Sequence, residues 1–280
     1  MLKKALKTTG ALLISAAMFA GCKGTPDTTN EDLANQIMNE DAAAATANTS
    51  KTEKIPDVDI HNFIMPEPGE KIAVITVKDY GEIKIKLFPE DAAKGVENFI
   101  GLAEMGYYDE LIFHRVIQGF MNQGGDPRGN GTGGNSIWGG SFEGGTSENL
   151  YHFSGAVAYA NSGATSTNGS QFYIVNTEEG EYSLGGMRLQ DGSIYYFQTF
   201  EEAGFSLPEN VKEMYREKGG TPSLDGGYTI FGQVFEGMDV VRAIGQVETD
   251  QDEYNDIPDD KPLTPVIIES IRIVEYKAEP

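Results

Sequence analysis

The sequence predicts a mostly β domain with two or three helices, and three observations carry that expectation. Residues Glu82 to Phe88 alternate, with Ile83, Ile85 and Leu87 on one face and Lys84 and Lys86 on the other, as in a half-buried strand. Gly124 to Gly145 contains ten glycines, which suit tight loops between short strands better than a helical or doubly wound fold. Two stretches switch to the helical period: Val96, Phe99, Ile100 and Ala103, and, after Gly237, Val240, Val241 and Ile244.

At the N-terminus, Lys3, Lys4 and Lys7 precede an apolar run from Ala11 to Ala20. The run is shorter than the ~20 residues a bilayer span needs, so residues 1–21 read as a secretory signal. It ends in Met18-Phe19-Ala20-Gly21-Cys22-Lys23, which resembles the lipobox of bacterial lipoproteins, whose cysteine becomes acylated and N-terminal after cleavage. Cys22 is the only cysteine, so no intramolecular disulfide is possible. Residues 22–66 are rich in Thr, Asn, Asp, Glu and Ala and poor in large apolar side chains. Such a stretch buries too little surface to offset its ordering entropy and reads as a disordered tether.

The folded domain is expected over 67–280. Lys71 to Val77 and Glu82 to Phe88 form a hairpin around Lys78-Asp79-Tyr80-Gly81. Asp91 to Met105 is a helix with Gly106 as its stop signal, and Val266 to Val274 is the last strand.

Twenty-one Lys and Arg against 43 Asp and Glu give a formal charge of −22, which repels polyanions and argues against nucleic acid as a partner. Gly129 to Gly134 matches G-x-G-x-x-G literally, but neither a strand nor a helix flanks it, so the dinucleotide reading lacks its context. Asp250, Asp252, Glu253 and Asp256 lack the glycine and the closing glutamate of a calcium loop and read as a solvated acidic loop. His61, His114 and His152 have no metal-ligand spacing, and no metal or organic cofactor is implied.

The most informative run is Phe113 to Asp126, FHRVIQGFMNQGGD. It sets a permanently charged guanidinium, Arg115, beside an apolar pair, Phe120 and Met121, and an amide, Gln123. That equipment grips an apolar residue and polarises a neutral carbonyl. The run resembles the signature of the cyclophilin family of peptidyl-prolyl cis-trans isomerases. Ala160-Asn161 with Asn168 to Tyr173, and Leu224 to Val234, resemble that family's second and third motifs, in the family's order.

The resemblance implies a closed eight-stranded antiparallel barrel capped by two helices, with its interior filled by side chains and substrate bound on the outer wall. It implies that Arg115 is the catalytic arginine, aided by Gln123 and Tyr228. Phe120, Met121, Tyr173 and Leu224 would wall a proline pocket, while Ala160, Asn161 and Gln171 would hold the chain on either side. His114 would be a buried structural residue and not a base.

Two positions depart from the family's pattern: Ser223 stands where a Trp or His is frequent, and Tyr228 where a His is frequent. Ser223 removes apolar wall, so weak binding of cyclosporin, the family's cyclic peptide inhibitor, is expected. Residues 178–222 form an insertion between the second and third motifs, with an aromatic run, Tyr195-Tyr196-Phe197, and a helix-like piece, Pro208 to Lys218. It reads equally as a cover beside the groove or as an inert elaboration.

The expected protein is a monomeric, lipid-anchored, extracytoplasmic isomerase acting on proline-containing extended polypeptides. A peptide-binding or holdase module with little catalysis is the alternative.

Overall fold

A computed structural model describes residues 55–189, 193–250 and 260–278, so Cys22, the signal and most of the expected tether lie outside the described residues. The alternating segment becomes a hairpin: β1 (Lys71–Val77) and β2 (Gly81–Leu87) pair antiparallel, with Ile75 opposite Ile83. Ile83, Ile85 and Leu87 are buried as expected. Lys86 is buried too, because its ammonium pairs with Glu70.

Seven further strands extend the sheet, in chain order β3 (Leu111–Phe113), β4 (Arg115–Ile117), β5 (Met121–Gly124), β6 (Ala156–Tyr159), β7 (Phe172–Val175), then β10 (Ile230–Glu236) and β11 (Val266–Glu275). Their spatial order is β3-β11-β1-β2-β10-β6-β7-β5-β4, and every pairing is antiparallel.

The two ends of that order are one piece of chain. Only His114 separates β3 from β4, and its N–H donates to the Gln123 carbonyl at 3.0 Å. Leu111 to Ile117 thus pairs with β11 through its first half and with β5 through its second. Counted as one stave split at His114, the nine strands make the nearly closed eight-stranded barrel that the resemblance implies.

Period-two alternation sorts the side chains. On β7, Phe172 and Ile174 join the barrel interior with Phe113, Val157, Tyr159 and Phe231. Tyr173 and Val175 instead face a second cluster with Met121, Ala158 and Ile230. Helix α1 (Ala93–Glu104) adds Val96, Phe99, Leu102 and Ala103 to the interior cluster. A helix at Met238–Gly245 adds Val240, Val241 and Ile244. These are the two capping helices.

The insertion holds a third helix, α2 (Glu209–Lys218), and a separate hairpin of β8 (Gly186–Arg188) and β9 (Ile194–Tyr196); the helix at Met238–Gly245 is therefore α3. Val211 and Tyr215 of α2 pack with Leu184, Phe200, Tyr151 and Phe153 in a core of their own. The hairpin leaves Met187, Ile194, Tyr195 and Tyr196 exposed. Backbone bonds stitch the insertion to the barrel at Gly219, Gly220 and Thr221. Gly220 has φ +143, and a Cβ there would lie 2.3 Å from the His152 carbonyl oxygen, so only glycine fits.

The boundary of the folded unit is corrected by this packing. Val58 and Ile60 pack against the insertion's core, and Asn62 is buried. Asn62 Nδ2 donates to the Tyr151 carbonyl and to Gln233 Oε1, each at 2.9 Å, and Asn62 Oδ1 accepts from the Tyr151 N–H at 3.0 Å. Residues 58–63 are therefore a strap on the domain and not the end of a tether. Composition hides this, because two aliphatics and one satisfied amide suffice to hold a strap. No helix among the described residues is long and apolar enough to cross a membrane.

Candidate active site

Register on the outer wall assembles the site. Arg115 of β4 lies opposite Gln123 of β5, Gln123 opposite Tyr173 of β7, and Tyr173 opposite Ala158 of β6. Directly paired residues share a face, so the guanidinium, the amide and the phenol ring stand in one row outside the barrel. Met121 comes from β5, two residues before Gln123 and on the same face, with Phe120 beside it at the strand's start.

These residues line a cleft of about 160 Å³ with Ala160, Asn161, Leu224 and Tyr228. Nine of the ten residues singled out as catalytic or substrate-binding thus share one concavity. Gln171 is the exception. It lines an adjoining polar hollow of about 370 Å³ that shares Gln123, Ala160 and Asn161 with the cleft. Gln171 Nε2 donates to the Gly131 and Gly133 carbonyls at 3.0 and 2.8 Å, and its Oε1 accepts from Gln123 Nε2 at 2.9 Å. Its role is to brace Gln123 against the glycine loop.

The walls differ in how firmly they are held. Tyr173 and Met121 are buried in strands, whereas Leu224 ends a short 3-10 turn (Pro222–Leu224) and Tyr228 lies in the loop that follows. Asn161 Nδ2 ties that loop down through the Gly227 carbonyl at 2.9 Å. Tyr228 packs edge-on against Tyr173, with centroids 5.7 Å apart. Ser223 is exposed and adds nothing to the cleft. No described residue of 178–222 lines the cleft.

Arg115 is partly exposed, and its Nε lies 3.3 Å from Asp260 Oδ2. Asp260 is held in turn by the Val116 N–H, which donates to its carbonyl at 2.8 Å, and its φ of +51 bends the chain there. Sequence reasoning missed this carboxylate, which lies close to an acidic loop read as merely solvated. Nothing local marks it, since it is 145 positions from Arg115.

His114 is buried, as expected. Burial pushes its imidazole pKa below the ordinary histidine value, and neither ring nitrogen has a hydrogen-bond partner in the structure. A neutral, enclosed ring is no base for the cleft. Burial also holds the Tyr173 phenol well above its ordinary pKa, so its hydroxyl stays protonated. No group of metal-ligating side chains occurs among the described residues.

Comparison with known proteins agrees with this geometry. The profile of the family described as cyclophilin type peptidyl-prolyl cis-trans isomerase/CLD matches residues 72–273. A putative peptidyl-prolyl cis-trans isomerase of Staphylococcus aureus is 42% identical over 209 residues, covering 75% of this chain and 94% of that protein. A putative bifunctional phosphatase/peptidyl-prolyl cis-trans isomerase of Streptococcus pyogenes is 40% identical over 227 residues. That match covers 80% of this chain but only 42% of the longer relative.

Among solved structures, a cyclophilin type peptidyl-prolyl cis-trans isomerase of Cryptosporidium parvum is 30% identical with a TM-score of 0.52, covering 74% of this chain and 99% of that one. The same protein in the presence of the dipeptide Ala-Pro gives 29% identity and a TM-score of 0.51, covering 73% and 99%. With its outer-wall cleft, its split stave and the profile match across the barrel, the chain belongs to the cyclophilin-type peptidyl-prolyl cis-trans isomerases.

Proposed function

We propose that this isomerase turns X-Pro bonds of exported polypeptides at the outer face of a bacterial membrane, holding the prolyl ring in the cleft and its carbonyl against Arg115. The observation that carries the cleft assignment is the convergence of Arg115, Phe120, Met121, Gln123, Ala160, Asn161, Tyr173, Leu224 and Tyr228 on one concavity. The Ala-Pro dipeptide named with the Cryptosporidium parvum relative is of the same chemical class. The export signal, the lipobox around Cys22 and the acidic composition support the location.

Partial double-bond character resists rotation about an amide by about 18–20 kcal/mol, and an unaided X-Pro bond turns over in tens to hundreds of seconds. Rotation needs no completed proton transfer. A donor aimed at the prolyl carbonyl and towards the imide nitrogen stabilises the pyramidal, resonance-free form more than the planar one. A rate gain of ~10⁵ asks for roughly 7 kcal/mol of such differential stabilisation. In this reading Phe120, Met121, Tyr173, Leu224 and Tyr228 clamp the ring, while Gln123 and the edge at Ala160 and Asn161 hold the preceding chain. Only the segment between them can turn.

A protease-coupled assay on a proline tetrapeptide tests the site. Arg115→Ala should lower kcat/KM by about 100-fold or more, a loss in the range seen for one electrostatic donor. Equal rates for the two proteins would leave only a peptide-binding or holdase role. Cys22→Ser should release the protein from the membrane fraction; retention there would sink the lipid anchor.

A further inference from the structure

The cleft's softer walls converge on a buried pair that the isomerase mechanism above does not use. His152 has no exposed side-chain surface, and its Nε2 lies 2.9 Å from the hydroxyl of Tyr173. On the other side of the ring, Nδ1 faces the carboxylate oxygen Asp225 Oδ1, 2.8 Å away. The His152 backbone N–H donates to the same oxygen at 2.9 Å.

Three walls of the cleft meet here. Tyr173 is bonded to the imidazole and lies nearly parallel to it, at 14°. Tyr228 meets it edge-on, with centroids 6.1 Å apart. Leu224 is the residue before Asp225.

The insertion holds the other end of this chain of bonds. Tyr215, fully buried on α2, donates its hydroxyl to Asp225 Oδ2 at 2.6 Å. Two more bonds bracket His152: the Thr221 N–H donates to its carbonyl at 2.8 Å, and the Ser154 N–H donates to the Gly219 carbonyl at 3.2 Å. A helix that contributes nothing to the cleft surface is thus wired by hydrogen bonds to the ring that forms the cleft's floor.

We propose that Tyr215, Asp225 and His152 are positioning residues through which the insertion sets the orientation of Tyr173, and with it the fit of the prolyl ring. The proposal rests on the reading of the cleft as the proline site. The packed rings of α2 would then matter to substrate affinity without touching substrate.

Tyr215→Phe and Tyr173→Phe remove one hydroxyl at each end and keep both rings, so both variants should fold; a thermal melt checks this. In the tetrapeptide assay each should raise KM about threefold to tenfold with little change in kcat, and the double variant should be no worse than the poorer single. Asp225→Asn, which keeps an oxygen facing Nδ1, should restore most of the affinity that Asp225→Ala loses.

A merely structural role would lower the active fraction, and hence the apparent kcat, at unchanged KM. Unchanged KM in Tyr215→Phe, or effects of the two single changes that multiply, would overturn the proposal. Arg115→Ala run alongside separates the failures. Lost activity there with normal Tyr215→Phe removes the positioning role alone, whereas normal activity there removes the cleft assignment and the positioning role together.

Discussion

In the proposed mechanism Arg115 acts from a strand position, with a carboxylate neighbour beside its guanidinium. The guanidinium Nε lies 3.3 Å from Asp260 Oδ2, close enough for an ion pair. Asp260 therefore holds the guanidinium in place while balancing part of its charge. Asp260→Ala should lower kcat/KM by roughly threefold to tenfold, the size expected when a catalytic group is misplaced and not removed. A protease-coupled assay reads this, and a rate equal to the parent's would show that the contact is incidental.

Ser223 supports a second expectation at this scale. It is exposed and lies outside the cleft, so it adds no apolar wall there. Cyclosporin should bind weakly. Nanomolar inhibition in a titration of isomerase activity would refute this.

At the scale of elements, the strap of residues 58–63 is fixed partly by a titratable contact. His61 Nδ1 lies 2.7 Å from Asp91 Oδ2, and Asp91 Oδ1 also accepts from Ser147 Oγ at 2.7 Å. The hydrogen bond to Asp91 raises the His61 pKa above its ordinary value near 6.5, against a smaller opposing effect of burial. A raised folded-state pKa means that the native protein holds the proton more tightly than the unfolded chain does. The contribution to stability is then fully present below the ordinary value and is lost as pH rises through the raised one. Melting curves from about pH 5 to about pH 8.5 should show the parent losing stability relative to His61→Ala as pH rises. Parallel curves would remove the strap's histidine from the account.

At the scale of the whole molecule, the folded unit begins before the strap. A chain that starts at residue 55 should match the full-length protein in denaturant midpoint. One that starts at residue 67 should lose roughly 2–4 kcal/mol, because Gln233 and the Tyr151 backbone are left without Asn62 in a buried site. Equal midpoints for both truncations would return residues 58–63 to the tether.

The same molecule shows what a sequence displays and what it conceals. The strand Gly81–Leu87, the helix around Phe99 and the one after Gly237 announce themselves by period, since each packs an apolar face on the interior. Three motifs sufficed to name nine of the cleft's lining residues. Strands of three or four residues set among glycines, such as β3 to β7, are too short for a period and exist only through their partners. Asp260, Asn62 and the Tyr173–His152–Asp225–Tyr215 chain act through a few bonds each, mostly across long sequence separations, with no local pattern to reveal them.

The split stave has one more consequence. Arg115 rides on the segment that latches the two margins of the sheet together, two positions past the last residue zipped to the C-terminal strand. Parting β4 from β5 carries the cation away from Gln123 and Tyr173, whereas release of β3 from β11 alone leaves that pairing in place. A molecule parted at the first seam is thereby a silent one, and turnover reports that this seam is sealed.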